Sequence, residues 1–178
     1  MKVVLDACVL YPTVMRALLL AGAEEGGYRP AWSARILEEW ARAAGRAGPL
    51  AETRARGEIA LLRAAWPGAE ITPQPGTEAR LWLPDPSDLH VLAAAVDGSA
   101  DAIVTMNAKD FPRGTLAEEG LQRLDPDGFL LELWQANPGP IETAARSILD
   151  LARREDASWQ MRALLKKARL PRLGKALG

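Results

Sequence analysis

The chain of 178 residues carries one cysteine, Cys8, and one histidine, His90. A single thiol excludes an intrachain disulfide and any cysteine-rich metal centre. A single imidazole excludes a histidine-rich zinc site, and the two residues together leave no credible Ser–His–Asp or Cys–His arrangement for nucleophilic catalysis. Cys8 follows a buried-strand pattern and reads as a structural thiol. No apolar run approaches the length that spans a bilayer, so no membrane association is expected. The N-terminus enters a strand pattern directly, without a charged leader and apolar segment, and a cytoplasmic protein is expected. Acidic residues are also missing, but only at one end: none follows Asp156, where Arg162, Lys166, Lys167, Arg169, Arg172 and Lys175 supply +6. Against a net charge of −1 this leaves −7 on residues 1–156. The tail reads equally as a solvated helix face and as a phosphate-binding patch.

What is present is the composition of a soluble globular chain, 48% hydrophobic and 25% charged, long enough for one domain with a substantial core. Short apolar strands alternate with helical patterns. Val3–Asp6, residues 69–72, Ala102–Thr105 and Leu121–Leu124 read as strands, with residues 81–83 briefly extended. Helices are predicted from Pro12 to about Gly26, from an N-cap at Ser33 to Gly45, over roughly 50–65 and over Ser87–Val96. This alternation predicts an α/β fold with a mostly parallel sheet. From Asp125 onward three helix patterns follow, so the expected division is a catalytic domain at 1–125 and a helical extension with a basic tail at 126–178. Six tryptophans are many for this length. Trp32, Trp66, Trp82, Trp134 and Trp159 are candidates for a dimer surface, with the core as their default.

The acids carry the functional signal. In open parallel sheets, sites form beyond the carboxyl ends of the strands, where Asp6 stands directly after Val3–Leu5. Asp88 opens a helix with Asp85 three residues earlier. A helix cap explains one acid there and explains the pair less well, with Pro84 and Pro86 stiffening the approach. Thr105, Asn107 and Asp110 follow the strand of residues 102–104. Glu38 and Glu39 adjoin on a helix, so only one can share a face with the site. Glu39, three residues after Ile36, is nearer the apolar stripe. His90 offers a second-layer donor or a packed ring. If these segments meet at one sheet edge, their carboxylates repel unless a cation sits among them. Hard oxygen donors suit Mg2+ or Mn2+, and such ions can activate water and stabilise the leaving oxygen of a phosphodiester without any nucleophilic side chain.

With VVLDACVL, SARILEEW, DPSDLHVLAAA and IVTMNAKDF on the page, the chain resembles the PIN-domain ribonucleases, and most of all the subgroup with DxxD before a helix and a TxNxxDFP ending. The resemblance implies a three-layer α/β sandwich, with a central, mostly parallel sheet flanked by helices and a C-terminal helical extension. It implies a Mg2+- or Mn2+-dependent endoribonuclease hydrolysing RNA, commonly the toxin of a toxin–antitoxin pair, often dimeric and covered by a small antitoxin protein. Asp6, Glu39, Asp88 and Asp110 match the family's acids. Asp6, Asp88 and Asp110 would hold metal, and Glu39 would bind it or orient water. Thr105, Asn107 and Asp85 would support water, phosphate or the loop. Many relatives have Asp where Asn107 stands, which leaves less charge for a second ion. The competing expectation is a weakly active or inactive module of the same fold that binds RNA or protein. A phosphotransfer receiver and a dehalogenase-type phosphatase fit poorly, since the latter wants DxD where Cys8 stands.

Overall fold

A computed structural model describes all residues, Met1–Gly178, which divide into two compact units: residues 1–11 with 29–124, and residues 12–28 with 125–178. The first unit holds a sheet of five strands, β1 (Lys2–Leu5), β2 (Arg29–Ser33), β3 (Glu70–Ile71), β4 (Ala102–Val104) and β5 (Gln122–Leu124). Their order is β3-β2-β1-β4-β5, and every neighbouring pair is parallel. The expected α/β architecture is therefore present, with a wholly parallel sheet. Val3–Leu5 and Ala102–Val104 are fully buried, as the continuous apolar run of a parallel strand requires.

Strand β2 is not among the strands expected from the sequence, and it carries Pro30, a residue that central strands normally exclude. The register explains why the proline is tolerated. Pairing of β2 with β3 begins only at Trp32↔Glu70, with Trp32 N donating to Ala69 O, while Arg29 N donates to Met1 O on the β1 side. Donors alternate sides along a parallel strand, so the N–H that Pro30 lacks falls on the β3 side before β3 has begun. Two further expectations are corrected. The 69–72 strand is shortened to Glu70–Ile71, and residues 81–83 form no strand.

Helices are numbered along the whole chain. In the first unit they are α1 (Ala7–Leu10), α3 (Ala34–Gly45), α4 (Pro49–Ala65), α5 (Thr77–Arg80), α6 (Leu89–Asp97) and α7 (Arg113–Glu118). The cap at Ser33 is realised: its Oγ accepts from Ile36 N at 3.2 Å. The helix expected at Ser87–Val96 instead opens with a tight 3-10 turn, Pro86–Asp88, before α6 begins. Proline at the first position favours such a tight opening turn. Helix α6 is apolar apart from His90 and Asp97 and packs on β1, β2 and β4, with Val91–Ala95 fully buried. At its end Gly98 lies so close to the side chain of Ile71 that an added Cβ would collide with it, and it would also meet Ala94 O at 2.8 Å. Gly98→Ala is expected to destabilise the protein by about 1–3 kcal/mol in denaturant titration.

The second unit comprises α2 (Thr13–Glu24), α8 (Pro126–Ala136), α9 (Pro138–Glu155), α10 (Met161–Lys167) and α11 (Pro171–Leu177). Residues 12–28 thus cluster with the C-terminal helices although they lie early in the chain. Tyr28 packs edge-on against Phe129 at 5.0 Å between ring centroids, and its hydroxyl donates to Leu19 O at 2.8 Å. The last expected helix, residues 157–170, is shortened to Met161–Lys167: Arg169 adopts a left-handed conformation, φ 63°, and a further helix not expected from the sequence starts at Pro171. Asp127, buried within this unit, accepts from Arg172 N at 2.9 Å and Leu173 N at 3.0 Å, holding the start of α11. No helix is long and apolar enough to cross a membrane.

Candidate active site

The β1–β4 register aligns Leu5 with Val104, which sets Asp6 beside Thr105, one residue beyond each strand. Asp6 precedes α1 but makes no capping bond with its side chain. Its Oδ2 instead accepts from Thr105 Oγ1 at 2.7 Å and from Cys8 Sγ at 3.1 Å. Thr105 Oγ1 in turn accepts from Asn107 N at 3.0 Å, and Asn107 Nδ2 donates to Asp88 Oδ2 at 3.2 Å. One polar chain thus runs from Asp6 to Asp88 through the loop after β4. Asp6 and Thr105 are both buried in it. Thr105→Val would leave the Asn107 N–H without its acceptor and Asp6 Oδ2 with Cys8 as its remaining donor. Unfolding in urea is expected to show a loss of about 1–3 kcal/mol.

The segment 85–88 separates its two acids by task. Asp85 Oδ1 takes the capping role, accepting from Ser87 N at 2.9 Å and Ser87 Oγ at 2.7 Å. Those bonds, with Lys109 nearby, hold its carboxyl below the usual range. Asp88 precedes α6 without capping it, so its carboxylate is free to face the centre. Burial first, and then the charges of Asp6, Asp85, Asp110 and Glu39, push Asp88 up to about 6. Carboxylates from three other segments, with Asp85 from its own, therefore act on this one group. The tightest set is Asp85, Asp88 and Asp110, with ligand oxygens within 4.8 Å of one another. Asp6 stands outside that triad and is tied to it through Thr105, Asn107 and its charge.

The adjoining glutamates point to different surroundings. Glu38 bonds Arg42 at 3.1 Å and Arg56 at 2.9 Å, and these guanidinium groups hold its carboxyl down at about 2. Glu39 faces the other way, its Oε1 2.7 Å from His90 Nε2. The carboxylate lies off the ring N–H axis, so the close pair is not an aligned hydrogen bond, and neither ring nitrogen of buried His90 has one.

Some contributors escape sequence reasoning. Cys8 is pushed up to about 12, first by burial and then by the Asp6 charge, so at neutral pH it is a thiol that donates to Asp6 and accepts from Met106 N at 3.3 Å. This is a positioning role, in keeping with the structural thiol expected from the sequence. Arg123, on β5, donates to Ala108 O at 2.7 Å and Phe111 O at 3.0 Å, and fully buried Phe111 anchors the same loop beside Asp110. Nothing in the linear spacing of a strand arginine signals that role. Of the tryptophans considered for a dimer surface, Trp32 is fully buried, Trp66, Trp134 and Trp159 are half-buried, and Trp82 alone is largely exposed.

Hard oxygen donors crowded until one of them resists ionisation fit a divalent cation, which would relieve the repulsion, while the one sulfur nearby, Cys8, is held as a thiol. The PIN-domain family model matches residues 2–109, spanning the sheet through β4, the acids at 6, 39, 85 and 88, and the loop as far as Lys109. The chain belongs to the PIN-domain family. It is also 51% identical over 45 residues to a Mycobacterium tuberculosis protein named "Putative ribonuclease VapC50", a stretch covering 25% of this chain and 27% of that relative. The chain thus aligns with only about a quarter of that relative's length. No solved structure matches it.

Proposed function

We propose that this PIN-domain protein is a divalent-metal-dependent endoribonuclease, using Mg2+ or Mn2+, and the toxin of a toxin–antitoxin pair. The observation that carries the reading is the convergence of Asp6, Asp85, Asp110 and Glu39 on Asp88, whose carboxyl they and burial push up to about 6. Asp85, Asp88 and Asp110 would hold the ion together with Asp6, and the ion would supply water activation and stabilisation of the leaving oxygen of the phosphodiester. The chain's own residues then have defined tasks. Thr105 fixes the Asp6 carboxylate by its 2.7 Å bond. Asn107 fixes Asp88 while adding no charge. Glu39 orients the attacking water from the α3 side, and Asp85 shapes the loop as well as facing the centre. A cognate antitoxin protein and a homodimer complete the reading, the latter drawing on exposed Trp82.

Incubation of the full chain with RNA is expected to give cleavage with Mg2+ or Mn2+ and none in excess chelator. Calorimetry with Mn2+ is expected to show uptake by the wild type that Asp6→Asn weakens. Metal uptake indifferent to Asp6, together with intact RNA, would overturn the nuclease and leave a binding module. In that event the six exposed basic residues from Arg162 to Lys175 would be its natural phosphate contacts.

A further inference from the structure

Apart from the acidic centre, the first unit contains a cavity of about 390 Å³, within the range of small-molecule sites. Its wall is Ile71 and the loop carrying Pro73, Gln74 and Pro75, with Arg35 at the rim, and His90 also lines it. We propose that this cavity is a nucleobase pocket that accepts one base of the RNA beside the cleaved phosphodiester. The proposal rests on the ribonuclease reading and deepens it by naming what the enzyme reads.

Three observations point to a base. The first is His90, only 2% exposed, whose Nδ1 has no hydrogen-bond partner while its Nε2 has only the unaligned contact to Glu39. A buried polar group left so weakens the fold, and a ligand edge that pairs with it recovers that cost. The two nitrogens of an imidazole point apart, so with Nε2 against Glu39 it is Nδ1 that can pair with one atom of a base edge, donating or accepting according to the tautomer. The second is the wall. Two proline rings and Ile71 present apolar faces suited to a flat heterocycle, while the Gln74 side-chain amide offers a second in-plane donor and acceptor. The third is that the wall is built in advance. Asp97 accepts from Gln74 N at 2.6 Å and from Thr77 Oγ1 at 3.1 Å, and Gly76 makes the turn between them at φ 90°.

Location ties the cavity to the chemistry. The same His90 ring that lines it stands 2.7 Å from Glu39, whose charge is felt at Asp88. A base seated against His90 therefore lies next to the carboxylates. Arg35, held only by a 3.5 Å contact to Glu78, is available to the phosphate of the strand that enters the cavity.

Because His90 is the only histidine, its imidazole gives one set of NMR signals. Adenosine, guanosine, cytidine and uridine, which carry no phosphate, are titrated separately to millimolar concentration into the chelator-treated full chain. At least one is expected to move the His90 signals, and Ile71→Trp, which fills the cavity, is expected to abolish the shift. Gln74→Ala, on the loop surface, is expected to keep the fold and weaken the shift severalfold. In RNA digests it is expected to redistribute the bases found beside the cuts. If no nucleoside moves His90, or if the Gln74→Ala digest keeps the wild-type base distribution and the shift is unchanged, the pocket is refuted. A nucleoside shift in a chain that cleaves no RNA would keep the pocket and reject the nuclease.

Discussion

Asp88→Asn is expected to lower metal-dependent RNA cleavage by roughly 10³-fold and, in the same protein, to raise the stability of the metal-free fold at neutral pH. The two effects have one cause. Burial, and then the charge of four neighbouring carboxylates, push Asp88 up to about 6 from an ordinary value of 3.8. Its folded form then binds more protons than the unfolded chain between those two values, so metal-free stability is expected to fall as pH rises through that window. The amide in Asp88→Asn has no proton to lose, and that variant's profile across the window should be flat by comparison. The gain at pH 7 is of order 1 kcal/mol, because a partly exposed carboxylate is screened by solvent. Thermal unfolding with excess chelator from about pH 4 to 7.5 measures it. Mn2+ should reverse the ranking by stabilising the wild type and leaving the variant nearly unchanged. A variant that is inactive and also less stable without metal at neutral pH would mean that Asp88 is a structural residue, and the acidic centre would lose its assignment.

The same electrostatics explain how far the sequence could be read. β1 and β4 were legible because strands buried on both faces must be continuously apolar, and the acid after each then lands at one sheet edge. The cap at Ser33 was legible because its bond to Ile36 N is local. β2 was hidden, since Pro30 is acceptable only in a register that begins β3 pairing at Trp32. The assignment of Glu38 and Glu39 depends on Arg56, which reaches Glu38 from α4, 18 residues along the chain. Spacing on one helix could favour Glu39 but could not supply that partner. Asp85 and Asp88 were told apart in the sequence only through the family resemblance; in three dimensions the Ser87 bonds occupy one oxygen of Asp85, while Asp88 caps nothing. Cys8 meets Met106 from 98 residues away, and Arg123 reaches back 12 and 15 residues to Phe111 and Ala108. Both pairings depend on strand register, which no local pattern encodes. The polar chain through Thr105 and Asn107 is legible as a motif, but its direction, from Asp6 to Asp88, emerges only once β1 and β4 are side by side.

Asn107 is an amide set among the acids, and the structure gives it a purpose. Its Nδ2 donates to Asp88 Oδ2 at 3.2 Å, a bond that an ionised aspartate could not make. Asn107→Asp would remove a donor and place a fifth negative neighbour against the group that already resists ionisation. In the metal-free protein the cost is expected to be about 2 kcal/mol, or a fall in Tm of roughly 4–8 °C just above neutral pH. Below about pH 5 the difference should shrink, because protonation of the pair relieves the repulsion. Saturating Mn2+ should restore the loss, since added negative charge strengthens the attraction for a cation as much as it weakens the empty site. Asn107→Ala separates the two components: it loses the bond and adds no charge, so its deficit should be smaller and insensitive to Mn2+. If Asn107→Asp is as stable as the wild type in chelator, Asp88 is not the electrostatic focus of the site. In that case the amide at 107 serves the loop and the acids do not depend on it.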